Sequence, residues 1–148
     1  MSMEMHCSVD LDWSASDNAG TVATPMGDLP YSALGPAAIG GNGASPEALL
    51  IAAIASCYSI TLSNVLRDAS LPQTRVSVRA EGVIASDCGK PRFTRVTVHP
   101  TIRGADVPQQ DAYEKAAAAA REACLIGRSI RGNVAYVVGE VSLLDLTQ

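Results

Sequence analysis

Ser45-Pro46-Glu47-Ala48-Leu49-Leu50-Ile51-Ala52-Ala53-Ile54-Ala55-Ser56-Cys57-Tyr58-Ser59-Ile60-Thr61-Leu62-Ser63-Asn64-Val65-Leu66 reads as one long helix around which the rest of the chain is built. Ser45 suits an N-cap, Pro46 the first helical position, and Glu47 the first turn, where the helix dipole favours an acid. The run ends near Ala69, because Leu71-Pro72 imposes an extended backbone. From Ala48 to Leu66 it carries no charge and is long enough to raise a transmembrane reading. Ser56, Ser59, Thr61, Ser63 and Asn64 interrupt its second half and no basic flank precedes it, so the expectation is the buried centre of a soluble fold, with no membrane partner.

On the N-terminal side, His6 to Trp13 alternates apolar and polar residues and predicts a strand, joined as a hairpin to a second short strand from Gly20 to Thr24. Pro25 to Gly43, rich in Gly, Pro and Ala, predicts a movable loop with a short strand near Tyr31. On the C-terminal side, Arg75 to Ile84 and the stretch from Phe93 to Ile102 predict two long strands around the turn Ser86 to Pro91. Pro108 opens a second helix through the alanines 116 to 120 to Cys124. Gly127 interrupts it before a short turn at Arg128 to Arg131, and Asn133 to Leu146 closes the chain as a β segment with Val134, Tyr136 and Val138 on one face.

At 148 residues, 47% apolar and 18% charged, the chain fits a single domain over 1–148 with one core, built mainly from Ala, Val, Leu and Ile because there is one Phe and one Trp. The first 66 residues hold six acids and neither Lys nor Arg, so all eleven bases follow, against nine acids. Without a basic run, nucleic acid is not an expected partner. The start lacks a charged n-region and an apolar h-region, so the expected location is cytoplasmic. Four cysteines at 7, 57, 88 and 124 form no C-x-x-C pair and no zinc-like spacing. Free thiols without a structural metal are expected in a reducing compartment.

Cys57 carries the chemistry to be explained. A cysteine in an apolar helix is ordinarily a small hydrophobe, but Ser56, Tyr58 and Ser59 mark a level at which this helix meets a polar pocket. Cys124 has Arg121 three residues before it and Arg128 four after. That spacing puts both guanidinium groups near its sulfur if the helical path holds past Gly127; otherwise both are solubilising charges at a helix end. Glu47 lies roughly 15 Å from Cys57 along the helix. If two copies cross antiparallel about a two-fold axis, Glu47 of one subunit can approach Cys57 of the other; the plainer role is dipole complementation. Cys7 on a strand and Cys88 beside Asp87 in a turn are not site candidates. His6 and His99 lack acids and serines at useful spacing, which excludes a hydrolytic triad.

The segment Ser45-Pro46-Glu47-Ala48-Leu49-Leu50, leading by seven residues to Cys57, with Cys124 after an Ala-rich helix, resembles the osmotically inducible protein C and organic hydroperoxide resistance (OsmC/Ohr) superfamily. The resemblance covers nearly the whole chain. It implies an α+β fold in which long central helices pack against curved, mostly antiparallel sheets in an intertwined homodimer, with two active sites between subunits. It also implies a cofactor-free thiol peroxidase for organic hydroperoxides. In that scheme Cys57 is the peroxidatic thiolate, Cys124 forms the disulfide, Glu47 orients a catalytic arginine, and a dithiol or lipoylated protein restores the pair. The chain departs from the family's pattern in one respect. The peroxidases place an arginine in the loop before the long helix, where this chain has Ala37 or Ala38, and Arg121, Arg128 or Arg131 is the candidate substitute. The alternative is a ligand-binding or redox-sensing member without efficient turnover.

Overall fold

The long helix is α1, Pro46–Asp68. Its start is capped as the sequence predicts: Ser45 Oγ accepts the Ala48 N–H at 3.1 Å and Ser45 O the Leu49 N–H at 2.9 Å. The computed structural model describes residues 2–33 and 44–147, apart from the side chain of Asp87. Residues 34–43, which hold Ala37, Ala38 and the glycine-rich end of the expected loop, lie outside them. The chain resolves into two compact units, Met1–Leu50 and Ile51–Gln148.

In the first unit, β1 (Leu11–Ser14), β2 (Ala19–Thr24) and β3 (Gly27–Ser32) form an antiparallel sheet in that order. The expected first strand is shorter than its alternation suggested: His6 and Cys7 precede it, both exposed. The short strand expected near Tyr31 is present and longer than expected, six residues beginning after the two-residue turn Pro25-Met26, with Gly27 at φ +119° closing the turn. Pro30 is accommodated because β3 is outermost in its sheet, where a missing N–H is tolerated. Trp13 and Tyr31 stack across it at 5.7 Å between centroids. Gly20 lies beneath, where an added Cβ would fall 2.5 Å from Tyr31 Cζ.

In the second unit, β4 (Arg75–Asp87) and β5 (Lys90–Arg103) form the expected long hairpin, closed by Cys88 and Gly89 at φ +52° and +81°. β5 buries Val96, Val98, Pro100 and Ile102, every second residue, and so presents one face to the core. A 3₁₀ turn (Val107–Gln109) leads to α2 (Gln110–Ala123), then α3 (Leu125–Ile130), and this crossover lets β6 (Ala135–Val138) and β7 (Ser142–Leu144) pair parallel to β5. The closing β segment is therefore two short strands. Gly139 lies between them, its N–H bonded to Val98 O at 2.8 Å.

The architecture is α+β with one antiparallel and one mixed sheet. α1 buries a single stripe, Ile54, Tyr58, Leu62 and Leu66, each with no exposed surface, at the i, i+4 spacing of one helix face. This stripe shares a core with Val96, Val98 and Ile102 of β5 and Tyr113, Ala116, Ala117 and Ala120 of α2. The expectation of a helix buried all round does not hold within one chain. α1 is long and apolar enough to cross a membrane by length and composition, yet only 22% of its most apolar window is buried, and Ile60 is 64% exposed. Leu62→Ala, which opens a cavity at the centre of the buried stripe, is expected to destabilise the fold by about 2–5 kcal/mol. Urea denaturation checks this, and a loss under about 1 kcal/mol would mean that the stripe is not the core.

Candidate active site

Cys57 sits half-buried on α1, beside the buried stripe; Cys124 sits with no exposed surface at the junction of α2 and α3. The backbone at Cys124 is extended, φ −62° and ψ 118°, so the helical path breaks at the cysteine itself and not at Gly127. A new helix begins at Leu125 and passes through Gly127, with Arg128 N–H closing onto Cys124 O at 2.9 Å. First-turn N–H groups of a helix have no intrahelical acceptor. Here those of Leu125 and Ile126 point at the Cys57 sulfur and that of Gly127 at the Cys124 sulfur.

The two thiols lie close enough to perturb each other's proton affinity, and they shift in opposite directions. Burial pushes the Cys57 thiol up, but the Ile126 N–H, the Cys124 thiol, the Leu125 N–H and the Thr61 hydroxyl together outweigh it and hold Cys57 below the ordinary value of a free thiol. Thr61 contributes least, and its hydroxyl also donates to the Cys57 carbonyl at 2.8 Å. Cys124 moves the opposite way. Burial raises it most and the charge of Cys57 adds to that, opposed by the Gly127 N–H and the Tyr136 hydroxyl. Of the two thiols, Cys57 is therefore the one that gives up its proton first, and Cys124 the one that keeps it longer.

Two tyrosines frame the pair. Tyr58 donates to Ala117 O at 3.0 Å, tying α1 to α2, and its ring meets that of Tyr136 edge-on at 6.4 Å. Burial and the neighbouring Cys124 push both phenols well above their ordinary range, so both stay protonated. Sequence reasoning missed Tyr136 and the three backbone donors. The only local signal for Tyr136 is Gly127, where an added Cβ would fall 2.1 Å from Tyr136 Cε2.

The remaining candidates lie elsewhere. Arg121 donates to Tyr136 O at 3.3 Å and pairs with Glu122, which also holds Arg131 at 2.8 Å. These three residues line a cleft of about 160 Å³ with Gly127, Gly132, Val134 and Tyr136. Arg128 is exposed, and no arginine is among the groups that shift either thiol. The break at Cys124 removes the continuous helical spacing that would have brought Arg121 and Arg128 to its sulfur. Glu47 is exposed in the first turn of α1. Cys7 and Cys88 are exposed, and His99 accepts the Glu140 N–H at 3.1 Å. Among the described residues, no group of three His, Cys, Asp or Glu could hold a metal.

The chain as a whole is similar to known proteins. The family described as OsmC-like protein matches residues 39–138. An uncharacterized Bacillus subtilis protein, YmaD, is 29% identical over 97 residues, covering 64% of this chain. The match spans 65% of that relative's length, just under two thirds. An organic hydroperoxide resistance protein, OsmC, from Legionella pneumophila superposes with a TM-score of 0.70 at 27% identity, over 94% of this chain and 99% of that one. An OsmC-like protein from Mycoplasma pneumoniae reaches 0.81 at 14% identity over 96% and 99%. The organic hydroperoxide resistance protein OhrB of B. subtilis reaches 0.69 at 21% over 93% and 98%. At those lower identities the likeness is one of fold.

The donors around Cys57 predict that its alkylation by iodoacetamide, followed against pH, has a midpoint below that of a free thiol. Cys124→Ala removes one donor to the thiolate and moves the midpoint up; a midpoint that stays put would show that Cys124 has no hold on Cys57.

Proposed function

The chain belongs to the OsmC-like protein family, and on that footing we propose that it is a cysteine-based thiol peroxidase reducing organic hydroperoxides through Cys57 and Cys124. Family membership supports a peroxide-related redox role. The observation that carries the finer reading is the pairing of a half-buried thiol held low by backbone N–H donors with a buried thiol held high beside it. Such a pair has a nucleophile and a resolving partner already in reach of each other.

In the proposed cycle the Cys57 thiolate attacks the distal oxygen of R–O–OH, forming an S–O bond and breaking the O–O bond. The alkoxide leaves and takes up a proton as the alcohol. Cys124 then attacks the sulfenic sulfur, the hydroxide leaves with the Cys124 proton as water, and a disulfide joins 57 and 124. A dithiol, or a lipoylated protein acting as one, reduces that disulfide. No metal or organic cofactor enters the cycle. The leaving alkoxide is the step that a cation would assist, and residues 1–66 contain none. Arg121 and Arg131 are the cations beside the cleft next to Tyr136, already partnered by Glu122.

The working form in this reading is a cytoplasmic homodimer in which a second copy covers the exposed apolar face of α1. Ile60, exposed on the stretch of α1 from Ala48 to Leu66 that carries no charge, supports that placement. Glu47 is assigned to the site across the two-fold axis. A second reading, an OsmC-like protein that binds a small apolar ligand or senses oxidants without efficient turnover, draws on the missing loop arginine and on the absence of any guanidinium among the groups acting on Cys57. A small molecule retained in native mass spectrometry, with slow turnover, favours that second reading.

Stopped-flow mixing with cumene hydroperoxide separates the two. The parent is expected to consume peroxide and yield a 57–124 disulfide by mass spectrometry, Cys57→Ser to fall to the buffer background, and Cys124→Ser to stop at the sulfenic acid. Consumption by the parent no faster than by Cys57→Ser would remove the peroxidase reading.

A further inference from the structure

Tyr136, on β6, is held on two sides by close contacts. Its ring lies over Gly127, where even a methyl group would collide with it, and meets the edge of Tyr58 at an interplanar angle of 66°. Its hydroxyl is buried without a well-formed hydrogen bond to any atom, and the group it faces is the Cys124 sulfur. A neutral thiol is a weak acceptor, which leaves this donor underused in the reduced protein. A thiolate in the same place accepts strongly.

We propose that Tyr136 is the positioning residue of the second thiol: its hydroxyl donates to the Cys124 sulfur as that sulfur gives up its proton and turns on Cys57. The inference rests on the peroxidase reading for its setting. In the step concerned, the S–O bond of the Cys57 sulfenic acid and the S–H bond of Cys124 break, the S–S bond forms, and water leaves with the Cys124 proton. The two electrons lost by the thiol pair have gone to the hydroperoxide.

The surroundings leave this task to Tyr136 and one peptide group. Facing Cys124 are Cys57 and Tyr58 from α1, the Gly127 N–H from α3 and Tyr136 from β6, while Arg121 of α2 is turned to the Tyr136 carbonyl. Burial and the Cys57 charge oppose a Cys124 thiolate; only the Gly127 N–H and the Tyr136 hydroxyl favour it. Tyr58 spends its proton on Ala117. Once Cys57 is a neutral sulfenic acid its opposing charge is gone, and the Tyr136 donor acts unopposed by it.

Tyr136→Phe keeps the ring and removes the donor. Sulfenic acid formation at Cys57 with cumene hydroperoxide is expected within about twofold of the parent, while disulfide formation slows roughly tenfold or more, the scale of one hydrogen bond to a charged group. Its pH midpoint moves up. Disulfide formation at the parental rate, or equal slowing of both steps, overturns the inference. A measurement without peroxide separates its failure from that of the peroxidase reading: the ¹³Cβ resonance of Cys124 titrated in Cys57→Ala protein, with and without Tyr136→Phe. A midpoint raised by Tyr136→Phe supports the inference even if the parent consumes no peroxide; an unmoved midpoint overturns it even if the parent is an efficient peroxidase.

Discussion

The approach of α2 to α1 governs the second unit. Ala116, Ala117 and Ala120 give α2 a face of methyl groups, and the Tyr58 hydroxyl reaches the Ala117 carbonyl across the gap at 3.0 Å. Larger residues on that face would hold the helices apart and leave the Tyr58 hydroxyl without its acceptor. Because α2 ends one residue before Cys124, the same contact that closes the core delivers the second thiol to the first. Core packing and site assembly are one event here, and neither is separable from the small side chains that permit it.

The thiol pair is arranged with neutral groups. Peptide N–H donors from the start of α3, a neighbouring thiol, the Thr61 hydroxyl and the Tyr136 phenol act against burial to set the proton affinities, while the arginines nearby bind Glu122 and a main-chain carbonyl. A fixed peptide dipole needs no counter-ion and is little screened by salt, unlike a mobile surface cation. In the peroxidase reading proposed above, local chain geometry takes over part of the task that the resemblance assigns to a loop arginine.

Features encoded by local pattern were legible in the sequence: the capped start of α1, the β4–β5 hairpin with its Cys88-Gly89 turn, and the two cysteines worth watching. What was not legible depends on distant residues. The extended backbone at Cys124 could not be seen because Ala-rich sequence continues a helix by propensity, and Gly127 looked like the stop. Gly127 instead stays helical and makes room for Tyr136, a partner nine residues on. Only the part of β3 near Tyr31 was legible, because Gly and Pro signal loops in isolation, whereas an outermost strand accepts both. The arginine spacing around Cys124 was sound helical arithmetic applied across a break.

The unequal depth of the two sulfurs has a consequence in time. Cys124, fully enclosed, is closed to any oxidant larger than the gaps of a packed interior, whereas Cys57 is open on one side. Within this pair, and on the proposed peroxidase reading, oxidising equivalents enter at Cys57 and are handed inward. The inner sulfur is spared the irreversible acids at the top of the oxidation ladder, and the shape of the protein, as much as its chemistry, dictates which atom is hit first and which is kept in reserve.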